Sequence, residues 1–387
     1  MKYMALCRLA LLISLSVFVL GCSTPDNSEP PAALTEIENP EKVRESWSFQ
    51  IGRSSAVNFF DLAPLVLDKK IYTIDLDGKI NQLDAQSGHD DWRYETGLAA
   101  ISGLAGDDSQ LVATSRDGEV AMYDIGPEGL TERWKKQLSS EIRSPAVVDA
   151  GQVFVRAGDG KLSALDASSG EVQWTVTRRV PALSLTGSSR PTPAGDLVIA
   201  GFDNGKLVAF ERSNGSTAWE TTIGSPRGRT EIERLVDLDG QFIIRDGVIY
   251  VSSFQGNLAA VTASSGQVIW SREFSSSQAI AADQEALYLV DDRSHLWSVD
   301  RRTGSSFWKQ DVLNARKITA PAIVDDRLVV GDLQGYVHIL RRSDGMLTGR
   351  VQPFDQRYIS QPINHDGSAI VLDAGGNLTA LALEERQ

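Results

Sequence analysis

The chain has 387 residues, with 38 Lys and Arg against 51 Asp and Glu, and a formal net charge of −13. An acidic balance of that size argues against a nucleic-acid partner and against electrostatic attraction to anionic lipid. It carries two cysteines, Cys7 and Cys22, so a fold of this size has to rest on its apolar core and not on a disulfide framework.

Lys2 and Arg8 flank the start of the chain, Leu9 to Leu20 is an apolar run, and the small residue Gly21 precedes Cys22. That order reads as a secretory signal over residues 1–21, and the run is too short and wrongly flanked for a spanning helix. Removing 1–21 takes away Lys2, Arg8 and Cys7 but no acid, which moves the charge from −13 to −15 and leaves one thiol at the new N-terminus. A lone thiol there makes most sense as an acylation site, since several acyl chains on one residue anchor firmly where one chain binds only marginally. Residues 23–41 are polar, acidic and proline-rich. With Cys22 they read as a lipidated, flexible tether over 22–41.

From residue 42 to 387 the chain is organised by a repeat. Its clearest copies begin at Asp77, Asp159, Asn204 and Gln255, and weaker ones at Asp117, Arg293, Gln334 and Gly375. The second position is Gly78, Gly118, Gly160, Gly205, Gly256, Ser294, Gly335 and Gly376, with spacings of 40, 42, 45, 51, 38, 41 and 41 residues. Such periods fit propeller blades of four short strands. The Asp-Gly, Asn-Gly and Gln-Gly pairs mark tight hairpins in which Gly takes positive φ. Side chains two and five positions later are apolar in all eight copies, from Ile80 and Leu83 to Leu378 and Leu381. These positions differ in parity, so both faces of that strand are buried, as in a sheet sandwiched between two neighbours. A second turn carries Gly88, Gly170, Gly215, Gly266, Gly304 or Gly345, and four residues beyond each of the first five stands a Trp: Trp92, Trp174, Trp219, Trp270 or Trp308. Trp134 fills that place after a two-residue insertion, while the seventh copy has Gly349 there.

The last copy stops at Gln387 and has no room for its Trp-bearing strand, whereas Trp47 stands upstream of the first full copy. The expectation is therefore an all-β, eight-bladed β-propeller of four-stranded antiparallel blades over 42–387. The N-terminal strand closes it by pairing with the C-terminal blade, which removes the exposed edge of an open array.

Two resemblances can now be stated. Val19-Leu20-Gly21-Cys22 resembles the lipobox of bacterial lipoproteins, which implies cleavage before Cys22 and lipid on it. Ser23, where inner-membrane retention favours Asp, implies export to the outer membrane. The repeat at Lys161–Trp174 is similar to the PQQ-enzyme repeat, and the whole chain resembles the BamB family of lipoproteins in the outer-membrane β-barrel assembly machinery. The stretches Arg179 to Gly187 and Thr230 to Asp239 look like segments of that family. The resemblance implies a non-enzymatic scaffold on the periplasmic face of the outer membrane, without a cofactor, bound to the periplasmic domains of BamA and through it to other subunits of the machinery. Unfolded barrel proteins in transit are a further implied partner. A Leu-x-Leu-Arg stretch and an Asp-x-Asp stretch of the family meet BamA, and they fall here on Leu183 and Leu185, and on Asp237 and Asp239. Thr186 stands where the family has Arg, which removes one bidentate-capable contact. Arg178, Arg179, Arg190 and Arg234 are the candidates to replace it.

Without the resemblance these residues retain one distinction. Trp219 to Trp270 is the longest interval between repeat tryptophans, and its surplus lies at about 224–240, where a long loop on a rigid scaffold suits binding. The plain alternatives are a solvated turn for Asp237 and Asp239 and a core-facing strand for Leu183 and Leu185. Catalytic signatures are weak: His89, His295, His338 and His365 fall in different copies without ligand spacing, and no Gly-x-Ser-x-Gly elbow occurs. Asp75-Leu-Asp77-Gly78 and Asp237-Leu-Asp239-Gly240 do not continue with the acids of a calcium loop. A quinone-dependent dehydrogenase, which shares the repeat, is the alternative from another class; it needs a catalytic Asp beside a calcium-bound quinone and, in many members, an adjacent cysteine pair that this chain lacks.

Overall fold

Short apolar runs cut by Gly-bearing turns fold into thirty-two strands, arranged as eight four-stranded antiparallel sheets. The computed structural model describes residues 29–54, 62–181, 183, 189–226, 229, 230, 233 and 235–384. Cys22 and the signal segment lie outside the described residues. Blades 1 to 7 run over 65–95, 105–137, 147–177, 192–222, 243–274, 281–310 and 322–351. Blade 8 combines 363–383 with the N-terminal strand Val43–Gln50. The eight copies are thus eight blades of a β-propeller.

Within a blade the third strand is buried on both faces, as in Lys161–Asp166, while the fourth buries little beyond its Trp, as in Val172–Thr177. Apolar side chains of adjacent blades form the core between them. Phe154, Leu162, Ala164 and Trp174 of blade 3 meet Val198, Ala200, Val208 and Phe210 of blade 4, each burial being worth about 1.5–3 kcal/mol for a large aliphatic or Phe side chain. Because neighbouring strands alternate in direction, the turn between second and third strands lies at the same end of a blade as the connection to the next one. That end gathers both kinds of loop.

The repeat tryptophans tie each blade to the next. Indole Nε1 of Trp47, Trp134, Trp174, Trp219, Trp270 and Trp308 donates to the carbonyl of Ala85, Ala167, Arg212, Ala263, Arg301 and Arg342 in the following blade, at 2.7–3.2 Å. The same ring covers the Gly of that blade's second turn. A Cβ on Gly88 would stand 2.5 Å from the Trp47 ring, so the turn admits only Gly for reasons of approach as well as φ. Two departures follow the same logic. The insertion in blade 2 lengthens its hairpin to a Gly126–Gly129 pairing and removes the acceptor, leaving Trp92 Nε1 buried with no hydrogen-bond partner among the described residues. Blade 8 has no second turn, because its fourth strand arrives from the N-terminus, so blade 7 has nothing for a Trp to cover and carries Gly349.

Closure is made by seven register pairs from Val43↔Leu383 to Gln50↔Asn377, with a bulge between Glu45 and Trp47. The tether expected over 22–41 differs in its second part. Glu41 N donates to Thr348 O at 2.8 Å, and its carboxylate takes Arg327 Nε at 2.5 Å in a buried ion pair. Ala32 N donates to Asn314 O at 2.9 Å. Low apolar content did not imply freedom here, because these bonds are polar and their arginines lie far away in sequence. One turn also differs: in blade 5 the positive φ falls on Gln255, at 48°. Gly256 serves close approach instead, its Cβ position lying 3.2 Å from the Gly224 Cα.

Candidate partner-binding site

The connection from blade 3 to blade 4 holds Leu183, and that from blade 4 to blade 5 holds Asp237 and Asp239. Leu185, Thr186 and Arg234 lie outside the described residues. Both connections meet the turn Phe202–Lys206 of blade 4. From the first, Ser189 Oγ accepts from Gly201 N at 3.0 Å and donates to Gly201 O at 3.2 Å. From the second, Leu238 is fully buried against Gly201, where a Cβ would approach the Leu238 Cβ to 2.8 Å. Val236 covers Gly205 in the same way. Phe254 N donates to Asp237 O at 2.9 Å and fixes the second loop to blade 5.

At the centre stands Arg156, buried in the second strand of blade 3. It pairs with Asp203, donates to Ser189 Oγ at 3.3 Å and lies 4.9 Å over the Phe202 ring. Asp237 is completely buried. Both carboxylate oxygens of Asp239 are buried with no hydrogen-bond partner among the described residues. Burial, then the charges of Asp237 and Asp203, push the Asp239 carboxyl up to about 7, opposed by Arg156 and Arg143. A solvated acidic turn is therefore not what these residues form. Both carboxylates lie within the loop and not in solvent, and burial raises that of Asp239 to about 7.

Leu183 is the side chain presented outward, 43% exposed, so the core-facing reading does not hold for it. A large exposed aliphatic side chain is the usual form of an interface anchor. Farther out, Glu233 Oε2 accepts from the amides of Arg229 and Thr230 at 2.7 and 3.1 Å, and Thr230 Oγ1 accepts from Glu233 N at 3.2 Å. These reciprocal bonds join Arg229 and Thr230 to Glu233. Of the arginines set against Thr186, Arg178 is committed to Glu220 and Thr217 at 2.8 and 2.9 Å; Arg179 is exposed. Sequence reasoning missed Arg156, whose signal was a lone cation inside an otherwise apolar strand, and Asp203, which has no signal of its own.

The family model described as outer membrane protein assembly factor BamB matches residues 76–310. The outer membrane protein assembly factor BamB of Bordetella pertussis is 34% identical over 92% of this chain and 92% of its own length. The chain belongs to the BamB family. The crystal structure of BamB from Moraxella catarrhalis superposes with a TM-score of 0.80 at 23% identity, over 88% of this chain and 100% of that one. Quinohemoprotein alcohol dehydrogenase from Comamonas testosteroni shares the fold alone, with a TM-score of 0.69 and 12% identity over 90% of this chain and 78% of its own. The BamB relation thus spans sequence and fold, whereas the dehydrogenase relation is one of architecture.

Proposed function

We propose that this BamB-family chain is a non-enzymatic scaffold lipoprotein of the outer-membrane β-barrel assembly machinery. Cys22 carries the lipid and holds the propeller at the periplasmic face of the outer membrane. Its partner is BamA, met through the two loops seated on blade 4: Leu183, Leu185 and Thr186 supply the contacting stretch, while Asp237 and Asp239 hold the neighbouring loop in shape. The observation that carries this reading is the meeting of Ser189 and Leu238, one from each loop, at Gly201, with Leu183 exposed on the first loop.

Capture of the periplasmic domains of BamA by immobilised protein tests it. Leu183→Asp, at an exposed position where folding is not at stake, is expected to lower capture by about tenfold or more, the effect of losing a central apolar anchor. Capture equal to wild type by that variant removes Leu183 from the interface. Asp237→Ala/Asp239→Ala is expected to lower capture together with the order of residues 223–242, which separates shaping from contact.

A further inference from the structure

Between Ala32 and Glu41 the chain crosses the rim of blade 7 and is received by three arginines. Arg327 holds Glu41. Arg316, fully buried in the connection from blade 6, gives Nη1 to the Ala32 carbonyl at 2.8 Å. Arg350, on the fourth strand of blade 7, gives Nη2 to the Thr35 carbonyl at 3.1 Å. The last two converge on one buried pair. Arg316 Nε and His338 Nε2 both reach Asp332 Oδ2, at 2.7 and 2.9 Å, and Arg350 Nε points at His338 Nδ1 at 3.4 Å. Tyr336 lies between the two guanidinium groups, at 5.7 and 6.0 Å.

We propose that this stretch is a latch on blade 7 that acid releases, with His338 as its sensor.

The network assigns the tautomer: Nε2 carries the proton toward Asp332, and Nδ1 is left to accept from Arg350. The charged and titratable groups facing the ring are Asp332 and Tyr336 from the turn of blade 7, Arg316 from the preceding connection and Arg350 from the fourth strand. The latch itself offers Arg316 and Arg350 only carbonyls. A second proton, taken up at Nδ1, converts an acceptor into a donor and sets a third cation beside Arg316 and Arg350, against the single charge of Asp332. Arg350 then loses its partner, and the Thr35 carbonyl loses its donor. Burial, with the charges of Arg350 and Arg316, already holds the imidazole below its ordinary pKa, Asp332 acting in the opposite sense. Opening frees Arg350 to turn away from Nδ1 and lets water reach the imidazole, so the open latch takes up the second proton more readily than the closed one. The stability of the closed latch is complete at neutral pH and falls as the pH drops through the ordinary histidine range. On the reading of Cys22 given above, release adds residues 32–41 to the span between the lipid and the propeller; the latch does not depend on that reading.

Amide hydrogen exchange of the full-length protein tests the proposal, at about pH 7.5 and about pH 5 and corrected for intrinsic rates, either side of the histidine range. The reporters are the amides of Ala32 and Glu41, which donate to the ring, with blade 3 as internal reference. In the wild type their protection is expected to fall by about tenfold in acid, the worth of one hydrogen bond to a charged group, while blade 3 is unchanged. His338→Gln keeps a donor and an acceptor without titrating and abolishes the response. Arg350→Gln, at the rim, loosens the segment at both pH values and abolishes it too, and this arm decides should His338→Gln fail to fold. Equal wild-type protection at the two pH values overturns the proposal, as does an undiminished response in Arg350→Gln.

Discussion

Asp239 shows what a single buried carboxylate does to a loop. Its oxygens are enclosed without a hydrogen-bond partner among the described residues, and the carboxyl titrates near neutrality. The folded state holds the proton more tightly than the unfolded chain, so stability contributed by this group is present below the ordinary carboxylate range and is lost as pH rises toward about 7. Asp239→Asn is expected to match the wild type near pH 4 and to exceed it at pH 8 by roughly 1–3 kcal/mol, the cost of an unsatisfied buried polar group. Urea melts at the two pH values check this; parallel stability curves would refute it. The tryptophans offer a second comparison at this scale. Trp134 Nε1 donates across the blade boundary, whereas Trp92 Nε1 has no partner among the described residues. Trp134→Phe should therefore cost about 0.5–1.5 kcal/mol more than Trp92→Phe, one net hydrogen bond, in denaturant midpoints.

At the scale of the element, the second turn of six of the eight blades is fixed by the Trp of its neighbour. A Cβ at Gly304 would stand 2.6 Å from the Trp270 ring, whereas one at Gly97 meets nothing within 4 Å, although φ is +71° and +70° respectively. Gly97→Ala is expected to cost about 1–2 kcal/mol, the left-handed penalty alone, and Gly304→Ala a further ~1–3 kcal/mol from overpacking. Thermal melts rank the two. This logic also explains what could be read beforehand. The paired apolar positions recur in all eight copies and the Gly-to-Trp spacing in five, so these local demands carry the blade count, while the stray Trp47 carries the closure. Asp237 and Asp239 were legible as positions but not as buried groups. Their environment is made by Arg156 and Asp203, which come from other blades, and by a fold of the loop that no period announces. The hold of blade 7 on residues 32–41 was illegible for the same reason: Arg327, Arg316 and Arg350 stand almost 300 residues or more away from their partners in the chain.

For the whole molecule, the ring depends on a seam that no covalent bond crosses. Trp47 is the clasp: it donates to Ala85 O at 3.2 Å and covers Gly88. Trp47→Ala is expected to cost about 3–5 kcal/mol and to expose residues 43–50 to proteolysis before any other strand; uniform cleavage across blades would show that the seam is not the weakest joint. The closed ring in turn places the described ends of both loops on one blade, around Gly201. The most direct test is amide exchange of the full-length protein with and without the periplasmic domains of BamA. The expected result is new protection confined to residues 178–191 and 223–242. Protection on blades 7 and 8 with those two loops unchanged would contradict the assignment.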